Sequence, residues 1–152
     1  MANESANKME KKISIDAPEL ILSGFQIQRM VSGLEVMIGV RDDPRFGPFV
    51  VLGLGGVLVE AVRDVAFRLL PLTRADVTDM IKELRGNVLF GRYRGSPPRD
   101  VDALIEAVMG LSIAYQILCG DISDIEINPL MVGAAGEGVC AVDIRTVARQ
   151  HP

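Results

Sequence analysis

Residues 123–132 read SDIEINPLMV and residues 138–147 read GVCAVDIRTV, and both segments have strand character. Each has the length and the content of β-branched residues that are typical of a strand. The small residues 133–136 between them, Gly-Ala-Ala-Gly, are typical of a turn. The end of the chain is therefore predicted to be an antiparallel hairpin.

Polar side chains are concentrated on one face of this hairpin. Strand alternation places Asp124, Glu126 and Asn128 together and turns the intervening isoleucines to the other face. If the turn is the four residues 134–137, Asn128 lies opposite Asp143 and Glu126 lies opposite Arg145, with Cβ atoms about 5 Å apart. On the second strand, one shared face is expected for Val139, Ala141, Asp143 and Arg145.

An amide oxygen and one or two carboxylates would then converge. Oxygen ligands suit a hard cation, and Mg²⁺ is usually held by one or two carboxylates together with substrate phosphates. The alternative is the polar outer face of an ordinary hairpin, since Asn-Pro is also a normal way to end a ladder. The residues alone leave both interpretations open, and a register shifted by one residue would separate the polar side chains.

Five strand-like segments precede this hairpin. Residues 24–31 and 34–41 flank a Ser-Gly turn and predict a second antiparallel hairpin. Residues 47–54 are continuously apolar, which indicates a buried strand. Shorter strand-like pieces cover residues 57–61 and 65–70.

Two helices follow these strands. Thr73 with Asp76 forms a variant capping box, and Asp100 is a good N-cap for the second helix. The first apolar stripe is Val77, Met80, Ile81 and Leu84. The second stripe is Val101, Leu104, Ile105, Val108, Leu111, Tyr115 and Leu118. The order of elements predicts an α+β fold with a mostly antiparallel sheet and two helices. Residues 1–23 are expected to be a flexible lead-in, with regular structure beginning near Gly24.

Composition excludes several classes of protein. The 152 residues are 49% hydrophobic with a net charge of −4, which indicates one folded domain. Sixteen basic against twenty acidic residues argue against a nucleic-acid partner. The longest uncharged apolar runs have 14 residues, short of the roughly 20 of a membrane span, so no membrane partner is expected. Two cysteines are too few for a disulfide framework. The sequence has one histidine, His151, so a histidine-based triad or metal site could form only if the C-terminal tail reached back to it.

Two weaker site candidates lie upstream. Glycines in residues 47–60 would let the backbone approach a phosphate closely. The segment matches neither common glycine-rich phosphate motif, and the alternative is a tight bend between packed strands. The arginines Arg63, Arg92 and Arg94 either reach anionic groups or are solvated surface charges.

The other candidate is an extended segment, residues 28–31, followed by Glu35. It would offer backbone groups to a flat base and a carboxylate to sugar hydroxyls, with a plain hairpin as the alternative.

Taken in order, seven motifs resemble the ATP-grasp domain of the NDP-forming acyl-CoA synthetases. This family includes the ADP-forming acetyl-CoA synthetases and the succinyl-CoA synthetase β subunit. The resemblance covers Gly24 to about Val147. The motifs are Gly24–Met30, Glu35–Val40, Phe46–Glu60, Asp64–Leu72, Gly91–Pro97, Glu126–Leu130 and Ala141–Arg145.

The resemblance implies a role for each matching residue. The metal ligands would be Asn128 and Asp143, with Glu126 as the catalytic carboxylate that assists a phosphorylated histidine. The family pattern is acid-x-Asp-x-Asn-Pro, so Glu126 changes the reach of one carboxylate. The nucleotide would lie along Gln28, Arg29 and Met30, with Glu35 near the ribose. A glycine turn of the family matches Gly53, Gly55 and Gly56.

The resemblance also implies the reaction and the partners. Acyl-CoA, ADP and phosphate would give the acid, CoA and ATP through a phosphohistidine, with Mg²⁺ and ATP or ADP as cofactors. Residues 24–150 would be the C-terminal lobe of the ATP-grasp domain, cytoplasmic and inactive alone. About twenty residues before Gly24 are too few for an N-terminal lobe. The implied partners are therefore that lobe and the CoA-binding and ligase domains of a parent enzyme. A surface left open by them would favour self-association.

Two other hypotheses remain at this point. The chain would also fit the regulatory synthetase-like module of a protein-lysine acetyltransferase, although such a module need not keep a metal set. It would equally fit a structural α+β domain without a reaction of its own.

Overall fold

The computed structural model of the chain describes residues 2–55 and 64–149. They fall into two units, and the first ends at Met30. It begins with helix α1 (Ala2–Asp16) and continues through residues 17–30 without helix or strand. The expectation that regular structure begins near Gly24 is therefore wrong. Residues 2–16 are rich in the strong helix formers Ala, Glu, Lys and Met, which favours a helix there.

The predicted strand over residues 24–31 is also wrong, because this segment forms neither helix nor strand and is almost entirely exposed. Its expected partner is strand β1 (Leu34–Asp43), which pairs along one edge with residues 47–54 and along the other with residues 122–132. A strand has only two hydrogen-bonding edges, so β1 has no edge left for a hairpin with residues 24–31.

The second unit, from Val31 onward, contains one antiparallel sheet of six strands. Its strands after β1 are β2 (Gly47–Leu54), β3 (Val65–Leu69), β4 (Ile122–Val132), β5 (Val139–Ala141) and β6 (Ile144–Ala148). The order is β3-β2-β1-β4-β5, and β6 also pairs with β4. This architecture confirms the predicted α+β class and the strands over residues 47–54 and 65–70. The predicted piece over residues 57–61 lies outside the described residues.

Helices α2 (Arg74–Glu83) and α3 (Val101–Leu118) pack on one face of this sheet, and a short 3₁₀ helix (Asn87–Phe90) lies between them. Both predicted N-caps are confirmed. Thr73 and Asp76 form a complete capping box. The hydroxyl and the backbone N–H of Thr73 both donate to the Asp76 carboxylate, and these hydrogen bonds lower its pKa. Asp100 accepts from the backbone N–H of Ala103. The core joins the helix stripes to Val36, Ile38, Val40, Val50, Leu52, Leu54, Ala66, Ile125, Leu130 and Val132.

Helix α3 is long and apolar enough to cross a membrane by length and composition alone. One stripe of it, however, is buried against the sheet, including Leu104, Val108 and Tyr115. Burial raises the pKa of the Tyr115 hydroxyl. In this fold α3 is the central core helix, and its apolar composition is explained by that position.

A candidate metal site on the terminal hairpin

The predicted register of the terminal hairpin is confirmed. Gly133 and Gly138 close a four-residue turn through a hydrogen bond from the Gly133 N–H to the Gly138 carbonyl, at 3.0 Å. The Asn128 N–H donates to the Asp143 carbonyl at 3.1 Å, and Glu126 pairs with Arg145. Asn128 therefore lies opposite Asp143, as the sequence predicts.

These polar side chains share one depression of about 260 Å³, lined by Glu126, Asn128, Asp143 and Arg145. Glu126 and Asn128 are half-buried, whereas Asp143 and Arg145 are exposed. The lining offers an amide oxygen, two carboxylates and one guanidinium.

The hairpin is interrupted at the site. Pro129 has no N–H to donate, and one extra residue on β4 forms a bulge against β1 between Ile127 and Leu130. The second strand of the hairpin is interrupted opposite the same position, so it forms two strands, β5 and β6, rather than one. The prediction that Val139 shares a face with Asp143 is therefore wrong: Val139 packs against the core. Alternation does not continue across a bulge.

Arg41 is a site residue that the sequence analysis missed. Its Nη2 donates to Glu126 Oε2 at 3.1 Å, and its Nε lies 3.4 Å from Asp124 Oδ1. Arg41 belongs to β1, and alternation along β1 would have placed it on the face of Glu126 had the pairing of β1 with β4 been known. The ion pair turns the Glu126 carboxylate toward β1.

Asp100 anchors the hairpin turn to the start of α3. Its Oδ2 accepts from the N–H groups of Gly136 and Gly138, each at 2.9 Å, while its Oδ1 accepts from Ala103 N–H at 3.1 Å. Hydrogen bonds from Gly138, Ala103 and Gly136 hold the pKa of this carboxyl below its ordinary value. Both glycines have positive φ, +86° and +79°, which a side chain would disfavour. The turn that sets the register is thus held from outside the hairpin.

The donor chemistry of the depression fits Mg²⁺. Asn128 and Asp143 could supply two oxygen ligands, and Mg²⁺ commonly keeps several waters and takes phosphate oxygens at its other positions. Across residues 2–55 and 64–149, no group of three His, Cys, Asp or Glu side chains is arranged to hold a metal ion. Asn128 and Asp143 by themselves are therefore too few ligands to enclose a cation.

The other predicted site residues are not in this depression. Gln28, Arg29 and Met30 lie in the first unit and are exposed, and Glu35 is exposed at the start of β1. The Glu35 carbonyl accepts from the Gly55 N–H at 2.7 Å.

Two of the predicted glycines are explained by packing. A Cβ at Gly53 would come within 2.7 Å of the Val65 side chain, and one at Gly55 within 2.8 Å of the backbone of Glu35 and Val36. This supports the interpretation of a close approach between strands. Gly56 and Arg63 lie outside the described residues, and Arg92 and Arg94 are exposed in the loop before α3.

Away from Glu126, the sheet face opposite α2 and α3 becomes apolar. A depression of about 220 Å³ runs from Glu126 and Arg41 to Phe49, Val51 and Phe67. A second one, of about 410 Å³, lies at the β2–β3 edge beside Phe46 and Leu69. This face therefore combines a polar end with an apolar end.

Comparison with known proteins gives consistent matches. The ATP-grasp domain family matches residues 1–147. The β subunit of ADP-forming acetate–CoA ligase II from Pyrococcus furiosus is 35% identical over 133 residues, which cover 87% of this chain and 56% of that subunit. The ADP-forming 4-hydroxybutyrate–CoA ligase from Nitrosopumilus maritimus is 34% identical over 145 residues, which cover 93% of this chain and 19% of that ligase.

Among solved structures, the dinucleotide-forming acetyl-coenzyme A synthetase 1 of Ca. Korarchaeum cryptofilum superposes with a TM-score of 0.73 at 37% identity. The match covers 79% of this chain and 55% of that one, whose crystal contains coenzyme A and Mg-AMPPCP. The chain thus spans about half the length of the matched β subunit, and less of the longer synthetases.

Proposed function

Since the chain belongs to the ATP-grasp family, in the group of the ADP-forming acetyl-CoA synthetases, we propose that it is the nucleotide- and Mg²⁺-binding lobe of an ADP-forming acyl-CoA synthetase. The observation that carries the proposal is the pairing of Asn128 with Asp143 in one depression. Its donors are those that a phosphate-bound Mg²⁺ needs.

In this proposal Asn128 and Asp143 hold the cation through their side-chain oxygens. A cation held there would neutralise charge on a transferred phosphoryl group. Glu126 stands beside it as the catalytic carboxylate, with its position fixed by the hydrogen bond from Arg41. A half-buried carboxylate held in this way can orient an incoming group without being drawn onto the cation.

The nucleotide is proposed to lie along Gln28, Arg29 and Met30, with Glu35 near the ribose hydroxyls. An extended segment with free backbone groups can offer both a donor and an acceptor to a purine edge. Residues 24–30 are exposed and lie in neither helix nor strand, which leaves these groups accessible.

The whole reaction is proposed to need more than this chain. Acyl-CoA, ADP and phosphate would be converted to the acid, CoA and ATP, with a histidine of the complete enzyme carrying the phosphoryl group. The proposed partners are the N-terminal ATP-grasp lobe and the CoA-binding and ligase domains, and the proposed location is the cytoplasm. Exposed Phe46, Phe67 and Leu69 support a partner lobe on that part of the sheet, with self-association when the partner is absent.

Isothermal titration with Mg·ADP tests the binding function. Saturable, Mg²⁺-dependent binding is expected, weakened at least tenfold by Asn128→Ala and by Asp143→Ala. The control variant Asp102→Asn removes an exposed carboxylate from the first turn of α3 and should bind as the wild type does.

Binding that ignores both hairpin variants would contradict the proposed site. The claim that the chain is incomplete has a separate test. Robust ATP formation from acetyl-CoA, ADP and phosphate by the chain alone would contradict it.

A further inference from the structure

We propose that Arg145 binds a phosphoryl group in the same depression as the cation, so that the depression takes a cation and an anion together. The proposal rests on the cation site of the proposed function and adds a specific residue to it. The ligand class is a phosphate monoester or diphosphate, or free phosphate, coordinated to the divalent ion.

The hydrogen-bonding pattern around Glu126 leaves Arg145 available. Glu126 lies between two arginines on neighbouring strands, Arg41 on β1 and Arg145 on β6. Its carboxylate accepts from Arg41 at 3.1 Å. In the part of the chain that the structure describes, no carboxylate oxygen lies within 4.0 Å of the Arg145 guanidinium. Arg145 thus lines the depression with five N–H donors and no ionic partner.

The charges in and beside the depression support an anion. The two positive charges of Arg41 and Arg145 face three negative charges, those of Asp124, Glu126 and Asp143. A divalent cation on Asn128 and Asp143 would then leave one uncompensated positive charge near Arg145. A phosphoryl group contacting both the cation and the guanidinium would remove this repulsion, and its oxygens match the planar donor fork of arginine.

A simpler role for Arg145 is that of an edge-strand charge. Among the strands that the structure describes, β6 pairs with β4 alone, and charged side chains on an edge strand prevent association with other strands. That role predicts no effect of Arg145 on anion binding. The two roles therefore differ in a measurable property.

The test measures the binding of Mn²⁺ by electron paramagnetic resonance, with the full chain. Each variant is titrated with Mn²⁺ alone, and the Mn²⁺-loaded protein is then titrated with inorganic phosphate and, separately, with ADP. The variants are Arg145→Gln, Arg145→Lys and the control Arg45→Gln, which removes an exposed arginine from the β1–β2 turn. Asn128→Ala and Asp143→Asn report on the cation site itself.

Arg145→Gln should leave Mn²⁺ affinity equal to that of the wild type or a few-fold tighter, because a like charge has been removed. The affinity of the loaded protein for anions should fall about tenfold or more, with partial recovery in Arg145→Lys and no change in Arg45→Gln. A loss of affinity for both phosphate and ADP would indicate that Arg145 binds a free or terminal phosphoryl group. A loss with ADP alone would assign it to the nucleotide.

Unchanged phosphate and ADP affinities in Arg145→Gln would overturn the proposal, and so would a parallel loss of Mn²⁺ affinity, which would indicate a structural role. If Asn128→Ala and Asp143→Asn weaken Mn²⁺ binding while Arg145→Gln has no effect, only the role of Arg145 fails. If neither hairpin variant changes Mn²⁺ binding, the cation site fails and the role of Arg145 fails with it.

Discussion

The backbone N–H of Asn128 donates to the carbonyl oxygen of Asp143 at 3.1 Å, and this bond fixes the two residues opposite each other. It lies where the hairpin is least regular, beside Pro129 and between β5 and β6. An irregular ladder frees side chains from the surrounding sheet, and bulges of this kind commonly occur at functional sites. The pairing therefore links the fold to the proposed cation site.

Helix α3 should behave as a core helix. Leu104 is fully buried, so Leu104→Ala should lower the free energy of unfolding by about 2–5 kcal/mol, through lost burial and the cavity left behind. Ile117, on the same helix, is 77% exposed, and Ile117→Ala should cost less than about 1 kcal/mol. Urea denaturation measures both values. Equal costs would contradict the orientation of α3.

Gly55 should not tolerate a side chain. A Cβ there would lie 2.8 Å from the backbone of Glu35 and Val36, so Gly55→Ala should destabilise the protein by about 1–3 kcal/mol. Gly110, within α3, has open space where a Cβ would lie, and Gly110→Ala should stabilise the helix by up to about 1 kcal/mol. Thermal melts of the two variants should therefore shift in opposite directions. A stabilising Gly55→Ala would contradict the close approach of Gly55 to β1.

Asp100 should make stability depend on pH. Folding lowers the pKa of this carboxyl, so its contribution is complete above the pKa of the unfolded chain and is lost as the pH falls through the lower folded value. The Tm of the wild type should exceed that of Asp100→Ala at neutral pH, and the difference should shrink as the pH falls below the ordinary pKa of an aspartate.

The matched control for Asp100 is Asp102→Asn, which removes an acid two residues away that accepts none of the turn hydrogen bonds. Its Tm difference from the wild type should be small at every pH. A difference between wild type and Asp100→Ala that is constant with pH would contradict the assigned hydrogen bonds.

Arg41 should influence cation binding more than stability. Its side chain is about half exposed, so Arg41→Gln should change the free energy of unfolding by only about 1 kcal/mol. The same change removes a positive charge and releases Glu126, which should tighten Mn²⁺ binding several-fold. The control is Arg74→Gln, which breaks an exposed ion pair with Glu106 and should leave Mn²⁺ affinity unchanged. Weaker Mn²⁺ binding in Arg41→Gln would contradict this account of Glu126.

The features that could be predicted from the sequence are those fixed by local chemistry. Both helix N-caps follow from a side-chain acceptor next to an apolar stripe, as at Thr73 and Asp100. The hairpin register follows from turn length, which sets Asn128 against Asp143 without knowledge of the rest of the fold.

Features that depend on distant partners could not be predicted in the same way. Residues 24–31 have strand-like composition, yet the edges of β1 are taken by β2 and β4, and local sequence does not specify which strands pair. Arg41 contacts Glu126 from 85 residues away along the chain, and Asp100 contacts Gly136 from 36 residues away, so no spacing within the hairpin reveals them.

The most direct test of the central claim is a double-mutant cycle on Mn²⁺ affinity with Asn128→Ala, Asp143→Ala and the double variant. If both oxygens hold one ion, the wild type should bind one Mn²⁺, each single variant should weaken it at least tenfold, and the double variant should be weakened by less than the product of the two. Affinities that are the same in all four proteins would contradict the claim that Asn128 and Asp143 form a cation site.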